Sequence, residues 1–169
     1  MTELNLWLDS YDDIYSDFDS RHYLKRRISD DFLHELQTEI KDREHVASDM
    51  VLLLPPERRD ETSEKIIAAS LVNFFASQFR FHEDKCRNKL NKGILLLASG
   101  TITMLVNSWV SYQYAASFPV IALKVLMEPA GWFLLWGALD FLFYAFPSLK
   151  RERNFFKKLS DMHIHFRSA

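Results

Sequence analysis

Two short stretches near the ends of the chain alternate with the period of a β-strand. A third, around residue 50, is a continuous apolar run, and most of the remainder carries the period of a helix. Leu4-Asn5-Leu6-Trp7-Leu8 alternates and predicts a short strand. Ser29-Asp30-Asp31 places acids where a helix begins, and Phe32, Leu33, Leu36 and Ile40 then mark one helical face. Met50-Val51-Leu52-Leu53-Leu54 is a continuous apolar run stopped by Pro55-Pro56, which predicts a strand buried on both faces, as in a parallel sheet. At the other end Met162, Ile164 and Phe166 alternate with His163, His165 and Arg167, so the tail can add a third strand. Such a sheet keeps open edges, and edge pairing between subunits predicts a homo-oligomer.

From Thr62 to Tyr112 there is no proline, and no glycine before Gly93. Ile67, Leu71, Phe74, Phe75 and Phe79 form a stripe at helical spacing, predicting an amphipathic helix that leads into an apolar segment. Gly93 to Leu123 holds no Asp, Glu, Lys or Arg, and from Pro129 to Leu149 the only charge is Asp140. Each segment supplies the roughly 20 residues that cross a ~30 Å hydrocarbon layer. Spans are expected at 94–114 and 129–149, joined by an outer loop at about 115–128 in which 118–127 lies at the interface. Pro129 suits the first position of a helix, which would set Glu128 on the helix's positive end and at the mouth of the membrane.

The fold expected is therefore an α-helical membrane hairpin of two transmembrane helices with a small α/β cytosolic N-terminal domain. Its parts are a cytosolic domain at 1–60, an amphipathic linking helix at 61–92, the two-pass hairpin at 93–149 and a basic cytosolic tail at 150–169. Charge placement orients it. Arg80, Lys85, Arg87, Lys89 and Lys92 precede the first span and Lys150, Arg151 and Arg153 follow the second, whereas the loop holds only Lys124 and Glu128. Both termini are then cytoplasmic. Residues 1–20 carry six acids and no base. That is unlike a secretory signal or a mitochondrial presequence, and favours a bacterial cytoplasmic membrane over the mitochondrial inner membrane. The single cysteine, Cys86, allows no intrachain disulfide.

Glu128-Pro129-x-x-Trp132-Phe133-Leu134-x-Trp136-Gly137 resembles the start of the pore helix in the mitochondrial calcium uniporter family, over about a dozen positions. Lys124-Val125 stand where that family carries Trp-Asp, so its outer acidic ring is absent here. The resemblance implies an oligomer with a ring of Glu128 carboxylates as the metal ligand and ion entrance, placed by Pro129. It also implies that Trp132 and Trp136 buttress the ring, Trp132 matching the aromatic that packs under the family's glutamate. Calcium is the ion implied, and carboxylate oxygens suit it. One helical face below Glu128 reads Trp132, Leu135, Leu139, Leu142 and Phe146, an apolar throat.

Inside the spans, Gly100, Thr103, Asn107 and Ser111 recur on one face of the first helix. Gly137, Asp140, Tyr144 and Ser148 make a matching row on the second. Counting in from the cytoplasmic ends sets Asp140 level with Gly100 to Thr103, whose hydroxyl can satisfy a protonated carboxyl, and sets Asn107 further out. Whether Asp140 is structural or functional stays open. The acidic loop at 9–20 lacks the glycine and closing glutamate of an EF-hand and reads as a docking loop for a cytosolic protein partner. His163 and His165 share a strand face without a third ligand. There is no nucleophile–base pair, phosphate loop or basic aromatic stripe, so neither enzymatic activity, a cofactor nor nucleic-acid binding is expected. The partners expected are further copies of the chain, the lipid bilayer and that cytosolic protein. Three functions remain: an oligomeric cation pathway through Glu128; a non-conducting or membrane-disrupting sensor or effector whose cytosolic domain binds a protein or signal; or a lipid-facing scaffold whose basic tail binds anionic headgroups.

Overall fold

The computed structural model describes residues 3–19, 21–22, 26–42, 48–114 and 118–168. In chain order these form β1 (Glu3–Trp7), α1 (Asp30–Asp42), β2 (Asp49–Leu54), α2 (Glu61–Gln113), α3 (Phe118–Asp140), α4 (Phe146–Ser160) and β3 (His163–Ser168). Tight 3-10 turns follow β1 and β2, and a π-helical turn, Phe141–Ala145, joins α3 to α4. Two compact units result: Met1–Arg80 with Asn154–Ala169, and Phe81–Arg153. The start of α2 and the end of α4 therefore belong with the sheet, not with a separate linker and tail.

In the first unit all three expected strands form and pair in parallel in the order β1-β2-β3. Strand alternation sends Leu4, Leu6, Met50, Leu52, Leu54 and Phe166 to one face. There they pack with Phe32 and Leu36 of α1, Ile67, Leu71 and Phe75 of α2, and Leu159 of α4. The opposite face carries Glu3, Asn5 and Trp7 on β1 and His163, His165 and Arg167 on β3. Parallel sheets are usually covered on both sides, and here the second side is covered by its own polar side chains. The Arg167 guanidinium reaches Glu3 at 3.1 and 3.2 Å, a fork running from β3 to β1 across the middle strand. Beneath that crossing Val51 is 1% exposed. The same fork holds the Glu3 carboxyl below the usual carboxylate range.

The C-terminal ends of the strands are fastened by a polar network. Glu64, 7% exposed, accepts from Arg59 Nε at 2.8 Å, from Arg59 Nη2 at 3.0 Å and from the Tyr11 hydroxyl at 3.2 Å. Tyr11 Oη in turn accepts the Asp60 amide at 2.8 Å, and Arg59 Nη1 donates to Ser168 Oγ at 3.0 Å. The Arg59 hydrogen bonds depress the pKa of Glu64 against the opposing effect of burial. Burial chiefly raises that of Tyr11.

Candidate functional site

Two helices are long and apolar enough to cross a membrane: α2, and the continuous helical stretch Phe118–Ser160. In the second unit they pack through glycines. Gly93 lies against the ring of Phe141. A Cβ added at Gly100 would sit 2.9 Å from Leu135 Cγ and 3.0 Å from the Leu135 backbone nitrogen, and one at Gly131 would sit 2.8 Å from Met104 Sδ. Steps of seven and four residues along α2 are matched by steps of six and four back along the second helix, which makes an antiparallel hairpin in near-constant register.

That register corrects the expected pairing. The second helix turns Gly131, Leu134, Leu135, Ala138 and Phe141 toward α2, with Ala138 fully buried. Gly137 has open space around it, and Asp140, Tyr144 and Ser148 are exposed. Both rows have helical spacing, so their own sequence does not rank them; close backbone approach at Gly131 selects the first. Asp140 precedes the Phe141 that meets Gly93, so it lies level with Ile94, about two turns from the Gly100–Thr103 level. Thr103 is not its partner, because Thr103 Oγ1 donates to the Ser99 carbonyl at 2.8 Å.

Pro129 is also placed differently. It sits inside α3, which begins at Phe118, so the outer loop expected to reach residue 128 is helical from 118 on. The stretch from Val120 to Met127, apolar but for Lys124, continues the helix from Phe118 up to the proline, which removes the donor that would reach the Val125 carbonyl. Glu128 therefore lies about 15 Å along the axis from the first residue of α3, away from the helix's positive end. Its side chain is exposed, as are Pro129, Trp132 (59%) and Trp136 (69%). Among the described residues neither Glu128 nor Lys124 has an ion-pair partner. The face below Glu128 does not stay outward. Leu135 packs on Gly100 and Leu142 and Phe146 are half-buried, leaving Glu128, Trp132 and Leu139 exposed.

Two polar groups in α2 stand out by burial. Asn107 is 8% exposed, and its side chain makes no hydrogen bond to any described residue. Ser111 Oγ, one turn on, is buried without a partner among the described residues. Beyond Asp140 the helix widens into the π turn, where the Phe146 amide donates to the Phe141 carbonyl. Pro147 explains it. The residue has no amide to continue the ladder, and its ring would meet the carbonyl four residues back. At the foot of the hairpin His82 Nδ1 lies 3.3 Å from Glu152 Oε2, and burial holds the imidazole below its ordinary pKa.

The acidic loop uses its carboxylates internally. Asp13 Oδ2 accepts the Asp9 and Ser10 amides at 2.7 and 2.9 Å, and Arg26 pairs with Asp12. Asp19 accepts from Arg21 side-chain nitrogens at 2.8 and 2.7 Å and from the Arg27 amide at 2.8 Å, which hold its carboxyl well below the usual range. His165 Nε2 lies 3.5 Å from Asp49 Oδ1, and no group of three His, Cys, Asp or Glu among the described residues is arranged to hold a metal. Sequence reading missed Arg59–Glu64–Tyr11, whose members lie up to 53 positions apart and carry no local pattern. Compared with protein-family models, curated proteins and solved structures, the chain matches none, which leaves the likeness to the uniporter family resting on the Glu128-Pro129 motif itself.

Proposed function

We propose that the protein is an integral membrane protein whose α2–α3 hairpin crosses the bilayer twice and assembles into an oligomeric cation pathway lined by Glu128, with calcium as the candidate ion. The observation that carries this reading is an exposed carboxylate without an ion-pair partner among the described residues, on a helix whose only other charges are Lys124 and Asp140. Exposed Lys85, Lys89 and Lys92 lie on one side of Gly93 and uncharged residues on the other, which sets the inner boundary of the layer near Gly93. By the hairpin register Glu128 is then about 20 Å from that boundary, roughly 10 Å inside a ~30 Å core. A carboxylate at such a depth is costly against lipid and is accommodated by facing a water-filled path or further copies of the chain. Glu128 is thus an intramembrane ligand beneath the mouth. Trp132 and Trp136 continue the exposed face on which neighbouring copies would pack. On this reading both termini lie on the cytoplasmic side of a bacterial membrane, as the lysines and arginines flanking the spans favour.

The test is cation flux into liposomes containing the purified protein. Flux should fall at least tenfold in Glu128→Ala and be retained in Glu128→Asp; equal flux in Glu128→Ala and wild type refutes the pathway. Phe18 favours a second reading, a non-conducting effector. It is fully exposed between Asp17 and Asp19 in a loop braced by Arg21 and Arg27, the form of an anchor for a protein partner. On that reading Phe18→Ala abolishes function while Glu128→Ala leaves it intact.

A further inference from the structure

Four polar side chains of the hairpin fall into two matched levels. Met104 meets Gly131. Three residues onward in α2 is Asn107, and three residues back in α3 is Glu128; seven onward is Ser111, and seven back is Lys124. The two buried polar groups of α2 that lack partners are one turn apart, and so are the only two charges in α3 before Asp140. They stand opposite one another in the same order. Lys124 and Glu128 are exposed, and both are long side chains able to swing toward the neighbouring helix. In water each would be solvated. At the depth given by the membrane reading, on which this inference rests, the Glu128 carboxylate and the Asn107 amide need partners within the protein, while Lys124 and Ser111, about one turn further out, lie near the outer boundary of the layer.

We infer that Asn107 is the positioning residue for the Glu128 carboxylate, and that Ser111 does the same for Lys124. The Asn107 amide donates to one carboxylate oxygen, which satisfies a buried carboxamide and offsets part of the cost of a charge in a low-dielectric layer. The second oxygen stays open to a cation. Ser111 Oγ accepts from the Lys124 ammonium one turn nearer the outer surface. That contact draws the lysine outward, away from the glutamate four residues along the same helix, where an ion pair would otherwise neutralise the ligand. The pair of levels therefore sorts the two charges, and explains how a lysine so close to the acid is compatible with cation binding.

Infrared difference spectroscopy of the full chain in lipid vesicles tests the contact without requiring conduction. The Glu128 carboxylate band is identified by its loss in Glu128→Gln. That band should move in Asn107→Leu and return toward its wild-type position in Asn107→Gln. Should Asn107→Leu fail to insert, Asn107→Ala removes the donor at lower steric risk and must move the band likewise. A band unchanged in a folded Leu or Ala variant overturns the inference. In flux measurements the half-saturating cation concentration should rise at least threefold in Asn107→Ala with maximal flux retained, whereas an equal loss of both, or no change, counts against a positioning role. Wild-type vesicles without flux would defeat the pathway reading alone, since the band reports on Asn107 either way.

Discussion

Gly100 and Gly137 are both glycines in apolar helices, and the structure gives them opposite fates when a methyl group is added. In a helix interior, alanine is favoured over glycine by about 1 kcal/mol, because the unfolded glycine has more freedom to lose. At Gly137 nothing lies within 4 Å of the added Cβ, so that gain should appear nearly whole. At Gly100 the Cβ would lie 3.0 Å from the Leu135 backbone nitrogen and 3.1 Å from Leu134 Cβ, atoms at or next to the main chain. A rotamer change cannot relieve those contacts; the helices must separate by several tenths of an ångström. Overpacking of that kind costs about 1–3 kcal/mol, which cancels or exceeds the propensity gain. Gly137→Ala should therefore be neutral to stabilising by up to ~1 kcal/mol, and Gly100→Ala destabilising by ~0–2 kcal/mol. Reversible unfolding of the hairpin in mixed micelles, followed by circular dichroism with both variants in one detergent series, measures the difference. If Gly100→Ala proves the more stable of the two, the register through Gly93, Gly100 and Gly131 is wrong, and the placement of Glu128 opposite Asn107 goes with it.

The first unit offers independent checks. Tyr11→Phe removes both the donor to Glu64 and the acceptor for the Asp60 amide, and should cost about 1–3 kcal/mol in thermal or denaturant unfolding. Because the Glu64 pKa is depressed in the folded state, its contribution is present above the unfolded glutamate value near ~4.3 and is lost as pH falls through the folded value. Glu64→Gln should accordingly flatten the acid limb of the stability profile below about pH 5; an unchanged acid limb would show that the network does not bear on folding. Leu36, fully buried between α1 and the sheet, should cost about 2–5 kcal/mol as Leu36→Ala, measured by the shift in unfolding midpoint.

The sheet was legible because its signals are local. Alternation at Leu4–Leu8 and Met162–Arg167 states a period of two within half a dozen residues, and the apolar run before Pro55 is short enough, and stopped sharply enough, to read as a buried strand. Burial of Val51 was legible too, though what lies above it was not, since the Arg167–Glu3 fork joins opposite ends of the chain. The two long helices could be read from absent charge, and the small-residue row of α2 from Gly100, Thr103, Asn107 and Ser111. Its partner row could not. Gly131 with Ala138 and Gly137 with Ser148 present equally good small faces by spacing alone, and only the approach of another helix distinguishes them.

Pro129 shows the same limit in its most consequential form. A proline after a charged residue satisfies every local rule for a helix start, and the rule was outweighed by the eleven residues before it. Phe118 to Glu128 are apolar but for Lys124 and Glu128, and hold a single other proline in the first turn, at Pro119, where no amide is needed. In an apolar layer such a segment has few alternatives to a helix, because every other conformation strands its backbone groups. Extending α3 upstream carries Glu128 from the helix end into its interior. On the membrane reading proposed above, that moves the carboxylate from a solvated mouth to a depth where its charge would have to be answered by protein or by a bound ion. The same extension makes Asn107, one polar side chain among many on a uniform helix, the residue whose position matters most to that carboxylate.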